Sequence, residues 1–189
     1  MPTLRITVFA VLISLIPPSA SADPDSRVRS SHARLAALLT EGQLRSATFR
    51  QLTARLQISD LIVHVEAAPV GHPLDGGLQF VSATPLRRYL RITVRTDLPA
   101  SQLVSLLGHE LMHAVEVADR PEVRDEDSFR QLYESIGQPG PRGARVTYDT
   151  RAAVEAGTKV ALELRSTTAL SWRTRRRDDQ RGNTAHPAR

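Results

Sequence analysis

Cysteine is absent from this 189-residue chain. No disulfide can brace the fold, no thiolate can ligate a metal, and no Cys is present for a lipid anchor. Burial or a bound ion must hold the structure, and any zinc must be held by His and carboxylate side chains alone. Lysine is nearly absent, one among 25 basic residues, which reads as codon bias and identifies no partner. Long apolar runs are also missing, apart from the eleven residues 6–16. Eleven are too few to cross a bilayer. They follow Arg5, end at Pro17-Pro18 and precede Ala20-Ser21-Ala22, a small-x-small cleavage site. That pattern is a secretory signal peptide over residues 1–22. The expected mature chain starts at Asp23 without a membrane span and is exported, to a periplasm or out of the cell.

The 167 residues left after cleavage suffice for one domain with a sizeable core. The overall charge of +5 misleads about partners. Residues 165–189 hold seven Arg against two Asp, whereas residues 23–164 hold 17 basic and 18 acidic side chains. The domain, 23–166, is thus nearly neutral, and 167–189 reads as a basic disordered tail. Such a tail could meet acidic surfaces, nucleic acid or anionic lipid, but a solvated tail suffices and no specific nucleic-acid partner is expected.

Helical spacing of Val28, Leu35, Leu38 and Leu39 predicts a helix over 26–40, and Phe49, Leu52 and Leu56 predict another over 46–57. The period then changes. Residues 61–66 and 78–82 read as short strands, separated by the Asp75-Gly76-Gly77 turn signal. Residues 88–96 alternate, with Leu90, Ile92 and Val94 on one face and Tyr89, Arg91, Thr93 and Arg95 on the other. Helices follow over 100–118, 127–136 and 150–164, with a loop at 137–145. The order predicts an α+β domain with a small, mostly antiparallel sheet and flanking helices.

The helix over 100–118 carries the chemistry. Val104, Leu107, Leu111, Val115 and Ala118 form an apolar stripe, while His109, His113 and Glu116 project from the opposite side and Glu110 lies beside them. Histidines four apart on one face can meet one zinc ion without bending the helix. The Glu after the first His is displaced enough to miss the metal and to act as general base on a water. Gly108 either leaves space beside the site or serves packing. His109-Glu110-Leu111-Met112-His113 is the HExxH of zinc metallopeptidases.

On these residues the chain resembles a zincin-fold metallopeptidase of the Glu-zincin type. It is also similar to exported bacterial proteins with a GHELxHAxE helix and a Y-[DE]-T-x-A-A segment, matched at 107–116 and 148–153. The resemblance implies a zincin-like fold whose sheet edge pairs with an extended peptide, with residues 88–96 as the leading candidate for that edge. The metzincin extension with its third His is missing, since Ala118-Asp119-Arg120 stands in its place. His32, His64, His72 and His186 read as ordinary surface, strand or loop residues.

A carboxylate is then expected as third ligand. Glu116 lies seven residues beyond His109, about 10.5 Å along the axis, too far for three ligands on one straight helix. It reads better as a group orienting His113 or pairing with an Arg. The resemblance points to Asp149, since Glu-zincins take the third ligand from a later helix, often in an acidic-x-x-Ala pattern that Asp149 and Ala152 fit. Asp replaces the usual Glu, so that helix must come closer. Asp149 reads equally as a helix N-cap, and Glu155 is the reserve ligand. Tyr148 could donate to an oxyanion or simply pack. The expected function is an exported zinc peptidase acting on a peptide or protein. Zn2+ would sit on His109, His113 and Asp149, and Glu110 would be the base. The alternatives are a non-catalytic zincin-like metal- or peptide-binding module and an envelope structural protein with an accidental motif.

Overall fold

The computed structural model describes residues 25–69, 74–139 and 148–183, with side chains up to Thr167. The segment 1–22, His72, His186, most of the 137–145 loop and the end of the tail lie outside them. Val28 and Arg29 form strand β1, Ala33–Arg45 helix α1, Ala47–Gln57 helix α2 and Leu61–Ala67 strand β2. Strands β3 (Gly76–Ala83) and β4 (Arg88–Val94) follow, then helices α3 (Ala100–Ala118) and α4 (Glu126–Ile136). The two-residue strands β5 (Gln138–Pro139) and β6 (Tyr148–Asp149) precede the last helix, α5 (Arg151–Asn183). The architecture is α+β, with five helices and a small four-stranded sheet among the described residues. None of the helices is long and apolar enough to cross a membrane.

The first expected helix begins later than its spacing suggests. Val28 pairs with Val63 in the sheet, and the buried Ser30 donates its Oγ–H to the Val65 carbonyl at 2.6 Å. Those bonds hold the chain extended until His32, the N-cap of α1. Ser46 caps α2 by accepting the Phe49 N–H at 3.0 Å, a role suited to a short polar side chain.

The strand order is β1-β2-β4-β3. Two pairings, β1–β2 and β2–β4, are parallel, and only β3–β4 is antiparallel. The expected mostly antiparallel sheet is therefore wrong. After β2 the chain skips one strand position to lay down β3, and β4 returns into the gap. In consequence β4 is internal and residues 88–96 are not the sheet edge. Strand β3 is. The alternation does hold: Leu61, Val63, Val65, Leu90, Ile92 and Val94 are buried, and Ile62, His64, Tyr89 and Arg91 are half-buried on the other face.

Helix α3 packs against the sheet, α1, α2 and α5. It is more enclosed than a one-sided stripe implies, for Leu103, Ala114 and Val117 are buried as well as Leu107 and Leu111. A helix apolar on most faces belongs in the middle of a domain. Helix α5 runs past residue 164, where the sequence reading ends it, into much of the stretch assigned to a tail. Leu164 is its last buried residue among those with described side chains. The six Arg among residues 165–183 are good helix formers that extend a turn already nucleated.

Candidate metal centre

His109 and His113 lie one turn apart on α3, their ring centroids 4.9 Å apart and their planes nearly perpendicular. Asp149 approaches them from β6, whose pairing with β5 fixes the chain just ahead of α5. Its Oδ1 lies 3.4 Å from His109 Nε2 and 3.8 Å from His113 Nε2. One donor atom from each of the three residues falls within 4.8 Å of the others, a group that could hold a metal ion. Asp149 does not cap α5. Thr150 does, accepting the Ala153 N–H on its Oγ1 at 3.1 Å.

Two glycines explain how a side chain as short as Asp reaches the histidines. A Cβ on Gly157 would stand 3.2 Å from His109 Cβ and 3.3 Å from the Ser105 carbonyl oxygen. On Gly108 it would stand 2.7 Å from Val160 Cγ2. Bare backbone at both places lets α5 lie close on α3, so the role of Gly108 is packing. Ser105 Oγ–H donates to the Gly157 carbonyl at 2.8 Å, tying the helices where they touch. The small residue expected to allow this approach, Ala152, is exposed; Ala153 and Ala156 are buried instead.

Glu116 lies beside His113, not beside Asp149. His113 Nδ1 is 2.9 Å from Glu116 Oε2. A carboxylate oxygen can only accept, so Nδ1 donates, and in the neutral ring this tautomer leaves the Nε2 lone pair for a ligand. Thr150 Oγ1–H donates to the other Glu116 oxygen at 2.5 Å. Glu155 turns outward to Arg151 at 2.7 Å, which removes the reserve ligand from the site. His32 is exposed and His64 sits on the open face of the sheet. Tyr148 packs half-buried against the core.

Glu110 is 4 % exposed, and its Oε2 is buried with no hydrogen-bond partner. Burial pushes its carboxyl up to about 7; the nearby His113 opposes the rise and Asp149 adds to it. Burial also holds His109 below its ordinary value, helped by His113 and opposed by Asp149 and Glu116. Edge strand β3 reaches this point: a Cβ on Gly76 would stand 2.8 Å from Glu110 Oε1. A groove past Leu106, Ser105, Val154 and Gly157 opens onto His109 and Asp149.

Two residues without a role in the sequence reading belong to the site. Tyr133 of α4 donates its hydroxyl to the His113 carbonyl at 2.9 Å and sets its ring edge-on to that imidazole at 5.3 Å. Burial, with Glu116 and Glu110 close by, raises its phenol well above the ordinary range. Its signal was an aromatic pair, Phe129 and Tyr133, at helical spacing on α4. The other residue is Thr150, whose signal was a cap-type side chain beside the expected ligand. The chain matches no protein-family model, no curated protein and no solved structure.

Proposed function

We propose that this protein is an exported zinc-dependent peptidase, or a hydrolase of a related amide bond, with a zincin-like active-site helix. The observation that carries the reading is Glu110, a carboxyl buried without a partner for Oε2 beside a ready three-donor set. Burial of that kind is costly, and a purely structural metal site has no use for it.

The donor set fits a cation. Asp149 Oδ1 is buried without a hydrogen-bond partner between two imidazole nitrogens, and one ion would satisfy all three atoms. Two nitrogens and one oxygen suit zinc. They also suit iron(II), but a buried carboxyl placed next to the first ligand favours the hydrolytic metal. Zinc bound there would supply Lewis acidity to a water and to a substrate carbonyl. Glu110 would take the water's proton on a carboxylate oxygen and return it to the departing amine nitrogen. His113, held by Glu116, keeps Nε2 aimed at the site. An extended peptide would add to the free side of β3, which carries Gly76 up to Glu110.

Metal analysis of the purified protein is expected to find about one zinc per chain. Asp149→Ala should lose zinc as severely as His113→Ala, and Glu116→Ala about 10–100-fold in affinity. A protein that takes up no zinc overturns the reading. Stoichiometric zinc without cleavage of any peptide leaves the binding module in its place.

A further inference from the structure

We infer that Thr150 is a positioning residue that locks the two halves of the metal site to each other. The inference rests on the metal-site reading above and explains how ligands from remote segments are held in register. His109 and His113 belong to one rigid helix, but Asp149 arrives from a two-residue strand. Some contact must fix the second relative to the first.

Thr150 makes that contact with both hydrogen-bonding functions of one hydroxyl. Its proton goes to Glu116 Oε1 at 2.5 Å, and its oxygen accepts the Ala153 N–H at 3.1 Å. The first bond occupies the Glu116 oxygen that His113 leaves unused and, together with the nearby Tyr133 hydroxyl, holds the carboxylate against the imidazole. The second starts α5 at a defined point, directly after Asp149. Thr150 is 5 % exposed and the Glu116 side chain 11 %, which leaves water little room to replace either partner. The position therefore needs a group that donates and accepts at once. Serine can do this. Aspartate can accept from Ala153 but has no proton for Glu116.

The test compares Thr150→Ser, Thr150→Asp and Glu116→Gln with the wild-type chain. It reads zinc affinity by chelator competition and the ring nitrogen shifts of His113 in the metal-free protein. Thr150→Ser should keep near-wild-type affinity and the Nδ1–H tautomer. Thr150→Asp keeps the cap but sets a like charge against Glu116, so affinity should fall about 10–100-fold and His113 should become a mixture of tautomers. The sign is diagnostic, because an added anion acting by simple attraction would tighten zinc. Glu116→Gln leaves the α5 cap intact, reads the link from its other end and should give the same mixture. Thr150→Asp with wild-type or tighter affinity, or His113 unmoved in both variants, overturns the inference alone. A wild-type chain that binds no zinc overturns the proposed function and this inference with it.

Discussion

Two buried ionisable groups, one on helix α3 and one packed at its end, are treated by the fold in opposite ways. Arg88, with no exposed surface, sits at the C-terminal end of the helix. Its Nε and Nη2 donate to the two Asp60 carboxylate oxygens at 2.9 and 2.7 Å. Its Nη1 donates to the carbonyls of Val117, Arg120 and Val123 at 2.9, 2.7 and 3.2 Å. A cation there also faces the negative end of the helix dipole. Glu110, half-way along the same helix, has no partner for Oε2. Where every polar atom is satisfied, a buried charge serves the fold; where one is left open, stability has been given up for a reactive group. Asp149 Oδ1, between the two histidines, is left open as well, which brings both buried unsatisfied carboxyl oxygens among the described residues to one site.

The largest expected effect breaks the comparison at Glu110. Glu110→Gln should leave zinc in place, since the residue is not a ligand. It should slow hydrolysis of any substrate the wild type cleaves about 10²–10⁴-fold, the usual contribution of a general base. Cleavage at the wild-type rate by the zinc-loaded variant would falsify the role assigned to Glu110. Next comes the other charge. Asp60→Ala leaves the buried Arg88 without its carboxylate. Asp60 is a third exposed and three carbonyls remain, so the loss should be at most the low end of the about 3–5 kcal/mol of a broken buried pair. Denaturant unfolding should show that loss while zinc affinity stays unchanged. A stable variant with weakened zinc would mean that the two ends of α3 are not separable.

A pH series sharpens the contrast. In the metal-free protein Glu110 titrates at about 7 against an ordinary 4.5. Its folded value is raised, so its contribution is fully present below 4.5 and lost as pH rises through about 7. Relative to Glu110→Gln, the wild type should lose roughly 3 kcal/mol between pH 4.5 and 8, following the 1.36 kcal/mol per pKa unit rule. Asp60 runs the other way. The hydrogen bonds from Arg88 lower its value below 3.8, so that pair weakens only in acid, as pH falls through the lowered value. Equal pH profiles for wild type and Glu110→Gln above pH 4.5 would show that Glu110 is not held protonated.

What the sequence makes legible follows from how far apart the interacting residues are. The α3 helix and its four polar groups could be read because they share one period, and the α+β class because strands and helices change period in order. Strand order could not be read. Alternation in residues 61–67 and 88–94 says which face is buried but not which strand is the neighbour, so the internal β4 passed for an edge. Val28 stands at helical spacing from Leu35, and its pairing with Val63 across 35 positions leaves no local trace. Tyr133 and Thr150 carry local signals, an aromatic pair and a cap-type side chain, but their partners lie 20 and 34 residues away and those signals do not name them. The acidic-x-x-Ala pattern points to Ala152, but α5 is capped by Thr150 and buries Ala153 and Ala156 instead, which pattern alone does not show.

The smallest effect tests whether helix approach, and not charge, sets the reach of Asp149. Gly157→Ala adds a methyl group 3.2 Å from His109 Cβ and 3.3 Å from the Ser105 carbonyl, so α5 must give by a few tenths of an ångström. Alanine favours a helix interior over glycine by about 0.5–1 kcal/mol. Mild overpacking costs about 1–3 kcal/mol. The propensity gain offsets only part of this, and the unfolding free energy of the metal-free protein should fall by between zero and about 2.5 kcal/mol. The site has no such compensation. Asp149 precedes the displaced helix directly, and metal geometry tolerates only about 0.5 Å of misplacement. Zinc affinity should fall, but by less than the 10–100-fold expected for Glu116→Ala. Unchanged affinity in a protein stabilised by the full propensity gain would show that α5 has slack at this contact. The short Asp149 side chain would then owe its reach to the β5–β6 pairing alone.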